Sequence, residues 1–311
     1  DTSAAIMKTV NPALSSSASQ TNVACNGATT GIASISVSGG TSGYSYSWSP
    51  SGGTAASASG LTAGTYTCLV TDGNGCTLSR NYTITQPSAL SASTSSTNVS
   101  CNGATNGTAA VIMSGGTPSY FYSWSPSGGT NATATGLAAG AYTCVTTDIN
   151  GCTIARNFAI TQPTALNISN SSTNVSCNAG TNGTASVSPA GGTSPYTYSW
   201  SNGGTSASKT GLAAGAYTCT TTDANGCTSV ATFTITQPTA LSASTSSTNI
   251  SCNGGSNGTA GVSISGGTSS YSYSWAPSGG TAATATGLSA GTYTCTVTDA
   301  NGCTLSQNYT I

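Results

Sequence analysis

The chain has 311 residues with only 4 Lys+Arg, 5 Asp+Glu and no His, for a formal net charge of −1; 3 % of its residues are charged, where an ordinary soluble domain carries about 25 %. With no His and no Glu, it lacks the side chains of general acid–base catalysis and of the usual metal sites, so an enzyme, a cofactor and a bound metal are not expected. Lys8, Arg80, Arg156 and Lys209 form no cluster for nucleic-acid phosphates, and no apolar run approaches the ~20 residues of a membrane span.

The opening DTSAAIMKTV lacks the basic start and apolar stretch of a secretion signal. Residues 1–11 instead align AIMKTVN before Pro12 with RNYTITQ before Pro87. This predicts either the last strand of a missing preceding repeat, as in a window cut from a longer array, or a donor strand that adds to a neighbour's sheet edge.

Four copies of one unit follow, predicted at residues 12–86, 87–162, 163–237 and 238–311. Trp48, Trp124, Trp200 and Trp275 recur at intervals of 76, 76 and 75 residues. The missing residue of the third copy falls at SWSNGG, and an indel there marks a surface turn. Copies are joined by Thr-Gln-Pro at residues 85–87, 161–163 and 236–238. Proline holds its predecessor extended, which predicts a stiff, closely coupled joint.

Read along the second copy, SALSAST and STNVSC form a first strand with a break, and NGATNG a turn. TAAVIM, YFYSW, TATATGL, AYTCVTT and CTIARNFAI then read as strands two to six. Period-two alternation, closely spaced turns and one Trp on the third strand predict an all-β chain of four tandem immunoglobulin-like β-sandwich domains. GLAAGAYTC is similar to the corner before the sixth strand of immunoglobulin-like domains. Tyr66, Tyr142, Tyr217 and Tyr293 then take the tyrosine-corner place, two residues before a Cys. With the four Trp they head the expected core, which in the first copy also takes Ile35, Val37, Leu61, Val70, Leu78, Tyr82 and Ile84. Such a small core calls for staples.

Three cysteines per copy supply candidates: Cys25, Cys68 and Cys76; Cys101, Cys144 and Cys152; Cys177, Cys219 and Cys227; Cys252, Cys295 and Cys303. This density on an uncharged β-chain points to an oxidising, extracellular setting. Cys68 and Cys76 sit ~13 Å apart along a hairpin, beyond the ~7 Å limit for a bridge. Cys25 is therefore expected to pair with Cys68 or Cys76, and an immunoglobulin-like topology favours Cys68. The leftover thiol is either a buried small hydrophobe or a link to another repeat or chain.

Asp72, Asp148, Asp223 and Asp299 each open a T-D-x-N-G segment. Without further carboxylates this is a turn in which Asp accepts backbone N–H bonds, rather than a calcium loop. Exposed Tyr or Trp would suit stacking on surface glycans, but the Y-x-Y-S-W alternation places them partly in the core.

The joint pattern SCNG, YSW, GLAAGTY, TDANGC and TITQP closely resembles the repeat of the SprB-type gliding adhesins of Bacteroidetes. The resemblance covers all four copies and implies very long cell-surface proteins exported by the type 9 secretion system. It also implies that cysteines at the places of Cys25 and Cys76 are usual while that of Cys68 varies, which favours a Cys25–Cys76 pair. The expected function is an extracellular structural or adhesive array, a cell-surface rod or filament, whose partners are adjacent repeats or other copies of the chain. The alternative is a carbohydrate-binding array with an exposed aromatic cluster in every repeat.

Overall fold

The computed structural model describes residues 10–311. The predicted donor or terminal strand at 1–11 lies outside these residues except for Val10 and Asn11, which belong to no strand. Val10 is 88 % exposed, and Asn11 donates its amide to Thr41 Oγ1 at 2.6 Å.

Thr, Tyr, Val and Ser in alternation favour the pleated surface, and Gly-rich segments break it. The first repeat forms β1 (Ser15–Thr21), β2 (Gly31–Ser38), β3 (Ser45–Ser49), β4 (Ser57–Leu61), β5 (Gly64–Thr71) and β6 (Thr77–Ile84). The same six recur as β7–β12 (Ser91–Thr97 to Thr153–Ile160), β13–β18 (Asn167–Thr173 to Thr228–Ile235) and β19–β24 (Ser242–Thr248 to Thr304–Thr310). Among the described residues no helix is long and apolar enough to cross a membrane.

In each repeat the strands make two antiparallel three-stranded sheets, ordered β1-β2-β4 and β3-β5-β6 in the first. This is the immunoglobulin arrangement of strands A, B and E facing C, F and G. The tyrosine corner is formed in every repeat: the hydroxyls of Tyr66, Tyr142 and Tyr217 donate to the carbonyls of Thr62, Ala138 and Ala213 at 3.1 Å, and that of Tyr293 to Ser289 at 3.2 Å. The chain is thus an all-β series of four immunoglobulin-like sandwiches.

Each sandwich closes around its Trp. Trp48 is 7 % exposed, lies 5.1 Å from the Tyr82 ring and donates its indole N–H to Ala55 O at 2.8 Å. Trp124, Trp200 and Trp275 repeat this against Phe158, Phe233 and Tyr309. Tyr66, Tyr142 and Tyr293 are buried, and Tyr217 is half-buried.

Val37 and Leu78 are half-buried and pack against the first core, which also takes Val23, Ala33 and Ala58. One expectation needs correcting. The first strand of the second repeat stops at Thr97, without the predicted STNVSC extension. That segment turns away because Asn98 Oδ1 accepts the N–H of Thr161 at 2.9 Å, leaving it to hold the linker rather than a sheet neighbour.

The chain divides into two compact units. One takes in residues up to Val99 together with Gly103–Gln162; the other takes in Ser100–Asn102 and Pro163–Ile311.

Candidate functional site: the junction between repeats

The T-D-x-N-G turn is built around its carboxylate. Asp72 Oδ1 accepts the N–H groups of Asn74 and Cys76 at 3.0 and 2.8 Å, and Oδ2 accepts that of Thr41 at 2.9 Å. Asp148, Asp223 and Asp299 do the same with Thr117, Thr193 and Thr268 and with their own turns. The Thr41 amide is the main reason the Asp72 carboxyl lies below the ordinary aspartate range, and the Thr117 and Thr268 amides act likewise on Asp148 and Asp299. At Asp223 burial pushes the carboxyl up, but the amides of Thr193, Cys227 and Asn225 outweigh it. Hydrogen bonds to the charged form account for the direction. These carboxylate oxygens thus serve the backbone of the turn, and among the described residues no three His, Cys, Asp or Glu side chains gather.

The second element is the linker. In the first repeat the loop between β1 and β2 grips it with four bonds. Val23 N–H donates to Thr85 O at 2.9 Å, Thr85 N–H to Asn22 Oδ1 at 3.0 Å, Gly27 N–H to Gln86 Oε1 at 2.7 Å and Asn26 Nδ2 to Pro87 O at 3.0 Å. The same four contacts recur with Thr161-Gln162-Pro163 and Thr236-Gln237-Pro238. Proline supplies no donor here, so its carbonyl is what the loop reads. Past the linker, Gly116 N–H of the next repeat donates to Ser88 O at 2.8 Å. Gly115, at φ +72, lies so close that a Cβ would stand 2.0 Å from Ala89 O.

The third element is the disulfide, and here the sequence expectation is overturned. Cys25 pairs neither with Cys68 nor with Cys76. It bonds Cys152 of the next repeat, with Cα atoms 5.7 Å apart and 127 residues between them. Cys101–Cys227 and Cys177–Cys303 repeat the bond at separations of 126 residues. Each bond lies inside one compact unit, because Ser100–Asn102 groups with the second.

The physical reason lies in the strand directions. Cys25 sits in the loop that holds Thr85, just past the end of β6. Cys76 precedes β6, and that strand's eight residues separate the two by ~27 Å within one sandwich. Cys68 faces Arg80 midway along β6 and is fully buried in the core. Neither is within bridging reach of Cys25, whereas the next repeat presents its T-D-x-N-G turn to this loop. Asn150 of that turn donates Nδ2 to Ala24 O at 3.2 Å, and Asn225 and Asn301 donate to Ser100 O and Ser176 O at 3.0 Å.

The remaining cysteines fall into two groups. Cys68, Cys144, Cys219 and Cys295 are buried free thiols, and Cys76 and Cys252 are exposed. The buried four occupy the strand-F place of the immunoglobulin inter-sheet bridge, but the facing strand GIASISVS offers no cysteine. Burial pushes all four thiols up, which keeps them protonated and inert. The asparagines and glutamines of the junction were not singled out from sequence; their signal is the fixed offset of N-V/I-x-C-N from T-Q-P in each copy.

The SprB repeat family model matches the chain at residues 17–54, 93–129, 169–205 and 244–280. Among curated proteins nothing matches. Similar solved structures include the N-terminal eight Ig domains of the Down Syndrome Cell Adhesion Molecule, at 11 % identity and TM-score 0.33 over 97 % of this chain. The match spans 60 % of that chain's length. Three N-terminal domains of the bacteriophage RB49 Hoc protein align at 14 % identity and TM-score 0.35, over 71 % of this chain and 97 % of that one. The insect immune protein hemolin aligns at 15 % identity and TM-score 0.24, over 97 % and 99 %. Each matched segment falls within one copy, over its first three strands, and the chain carries four SprB repeats in tandem.

Proposed function

We propose that this chain is an extracellular adhesive and structural array, part of a cell-surface rod or filament that transmits tension and carries out no catalysis. The observation that carries the reading is the overlapping disulfide series. The loops closed by Cys25–Cys152, Cys101–Cys227 and Cys177–Cys303 overlap, so every residue from Cys25 to Cys303 lies inside at least one. A tether built this way keeps its length when a sandwich opens. Such bonds persist in oxidising surroundings, which supports placement outside the cell. The near-absence of charge permits close packing against adjacent repeats or other copies, and export by type 9 secretion accords with the family.

Glycan binding through a repeated aromatic cluster has less support. Every Tyr and Trp is buried or half-buried, and Phe121 is the exposed aromatic.

Immunolabelling of intact and permeabilised cells tests the placement: equal signals are expected, and a signal only after permeabilisation contradicts it. Array-coated beads under flow test the tether: they should hold in oxidising buffer and yield on adding reductant. Holding that ignores reductant contradicts it.

A further inference from the structure

The disulfide series leaves one half of a junction at each end: the T-D-G-N-G-C turn with exposed Cys76, and the S-C-N-G loop with exposed Cys252. We infer that Cys76 and Cys252 are complementary half-sites for head-to-tail covalent linkage to another repeat of this type, Cys252 of one taking the T-D-x-N-G-C cysteine of the next. The inference rests on three closed junctions made from these same positions, not on adhesion.

Both halves are already folded as in the closed junctions. On the Cys76 side, Asp72 Oδ1 accepts the Cys76 N–H at 2.8 Å, against 2.9 Å for the equivalent bonds to Cys152, Cys227 and Cys303. Asn74 Nδ2 donates to Thr41 Oγ1 at 2.6 Å, as Asn150, Asn225 and Asn301 donate to Thr117, Thr193 and Thr268. The second amide hydrogen of those three asparagines goes to the neighbour's carbonyl, and that of Asn74 is set for the same partner. On the Cys252 side, Gly255 N–H donates to Cys252 O at 2.9 Å, matching Gly180 to Cys177 at 3.0 Å. Ser251 N–H donates to Asn257 Oδ1 at 3.1 Å, matching Ser176 to Asn182 at 3.0 Å. The carbonyl of Ser251 therefore stands where Ser176 O receives Asn301.

The bond forms by exchange with a low-molecular-weight disulfide such as oxidised glutathione. The Cys76 thiolate attacks one glutathione sulfur, breaking its S–S bond and releasing one glutathione thiolate. The Cys252 thiolate of the neighbour then attacks the Cys76 sulfur and expels the second. Two protein thiols lose two protons and two electrons, and one glutathione disulfide becomes two glutathione thiols.

The neighbour is either a second copy or a further repeat of the same polypeptide, and two arms separate these. In the first, the 30.0 kDa chain, Cys76→Ser and Cys252→Ser are each incubated with oxidised glutathione and run on non-reducing gels. The unsubstituted chain should form a ladder that collapses on reduction, and each variant alone should stay monomeric. Their mixture should give a dimer whose peptide map holds a Cys76–Cys252 bond. No dimer in the mixture, or homodimers from either variant alone, overturns the inference. In the second arm, a fifth repeat is joined after Ile311 through Thr-Gln-Pro. Cys252 should then bond within the chain, and a free Cys252 there overturns it equally.

Discussion

Pulling the chain from both ends distinguishes the junction disulfides from any pairing within repeats. Roughly 280 residues separate Cys25 from Cys303, and at about 3.5 Å per residue they extend to about 970 Å once every sandwich is open and every bond reduced. With the bonds intact the shortest covalent path crosses from Cys25 to Cys152, follows the chain to Cys177 and crosses to Cys303. That path runs along β12, the linker and β13, about 25 residues or about 90 Å when taut. Cys177→Ser removes the second crossing. The shortest route then doubles back from Cys152 to Cys101, crosses to Cys227 and continues to Cys303, about 127 residues or about 440 Å. Cys101→Ser leaves the first route untouched, so its limit stays near 90 Å. Force spectroscopy with and without reductant reads these lengths. An oxidised chain that extends by several hundred ångströms, or a Cys101→Ser variant as extensible as Cys177→Ser, refutes the reasoning.

Thiol labelling of the native protein should modify Cys76 and Cys252 and spare the four buried thiols, with six reacting after unfolding; early labelling of Cys144 would place it outside the core. The turn aspartates set the acid limit of stability. Their carboxyls lie below the ordinary value, so the stability they contribute is complete above about pH 4 and is lost as pH falls through the lower folded-state value. Calorimetry should find a melting temperature that is level from pH 8 to 5 and drops below 4, and a drop beginning near 6 would contradict this. Asp148→Asn should melt lower at pH 7 and show a smaller acid drop. Gly115→Ala forces a left-handed φ and a clash with Ala89 O and should cost about 1–3 kcal/mol in denaturant unfolding. At Gly129 a Cβ meets nothing within 4 Å, so Gly129→Ala should cost only the backbone strain of about 1–2 kcal/mol.

The sandwich was legible because its signals are local. Alternation in YFYSW places Trp124 inward, and GLAAGAYTC carries a corner whose Leu137 and Tyr142 are both buried. The turn role of Asp72 was legible for the same reason: Cys76 and Asn74, two of its partners, are within four residues. The disulfide partners were not, because the repeats place identical residue types at identical offsets. Cys25 meets the same T-D-x-N-G-C context at Cys76 and at Cys152. The choice depends on which end of a sandwich the β1–β2 loop occupies, and the linker contacts of Asn22 and Asn26 with Thr85 and Pro87 decide it. The odd third cysteine of each copy is the buried free thiol of the Cys68 type, so the odd count did not point to bonds between repeats.

The four basic residues make the decisive measurement simple. Trypsin cuts after Lys8, Arg80, Arg156 and Lys209, once the chain is unfolded without reductant and its free thiols are blocked. With Cys25–Cys152, Cys101–Cys227 and Cys177–Cys303 in place, fragments 9–80, 81–156, 157–209 and 210–311 should stay together as one species until reduced. Release of 9–80 and 81–156 as separate peptides before reduction would mean that the bonds close within repeats, contradicting the interlocked array.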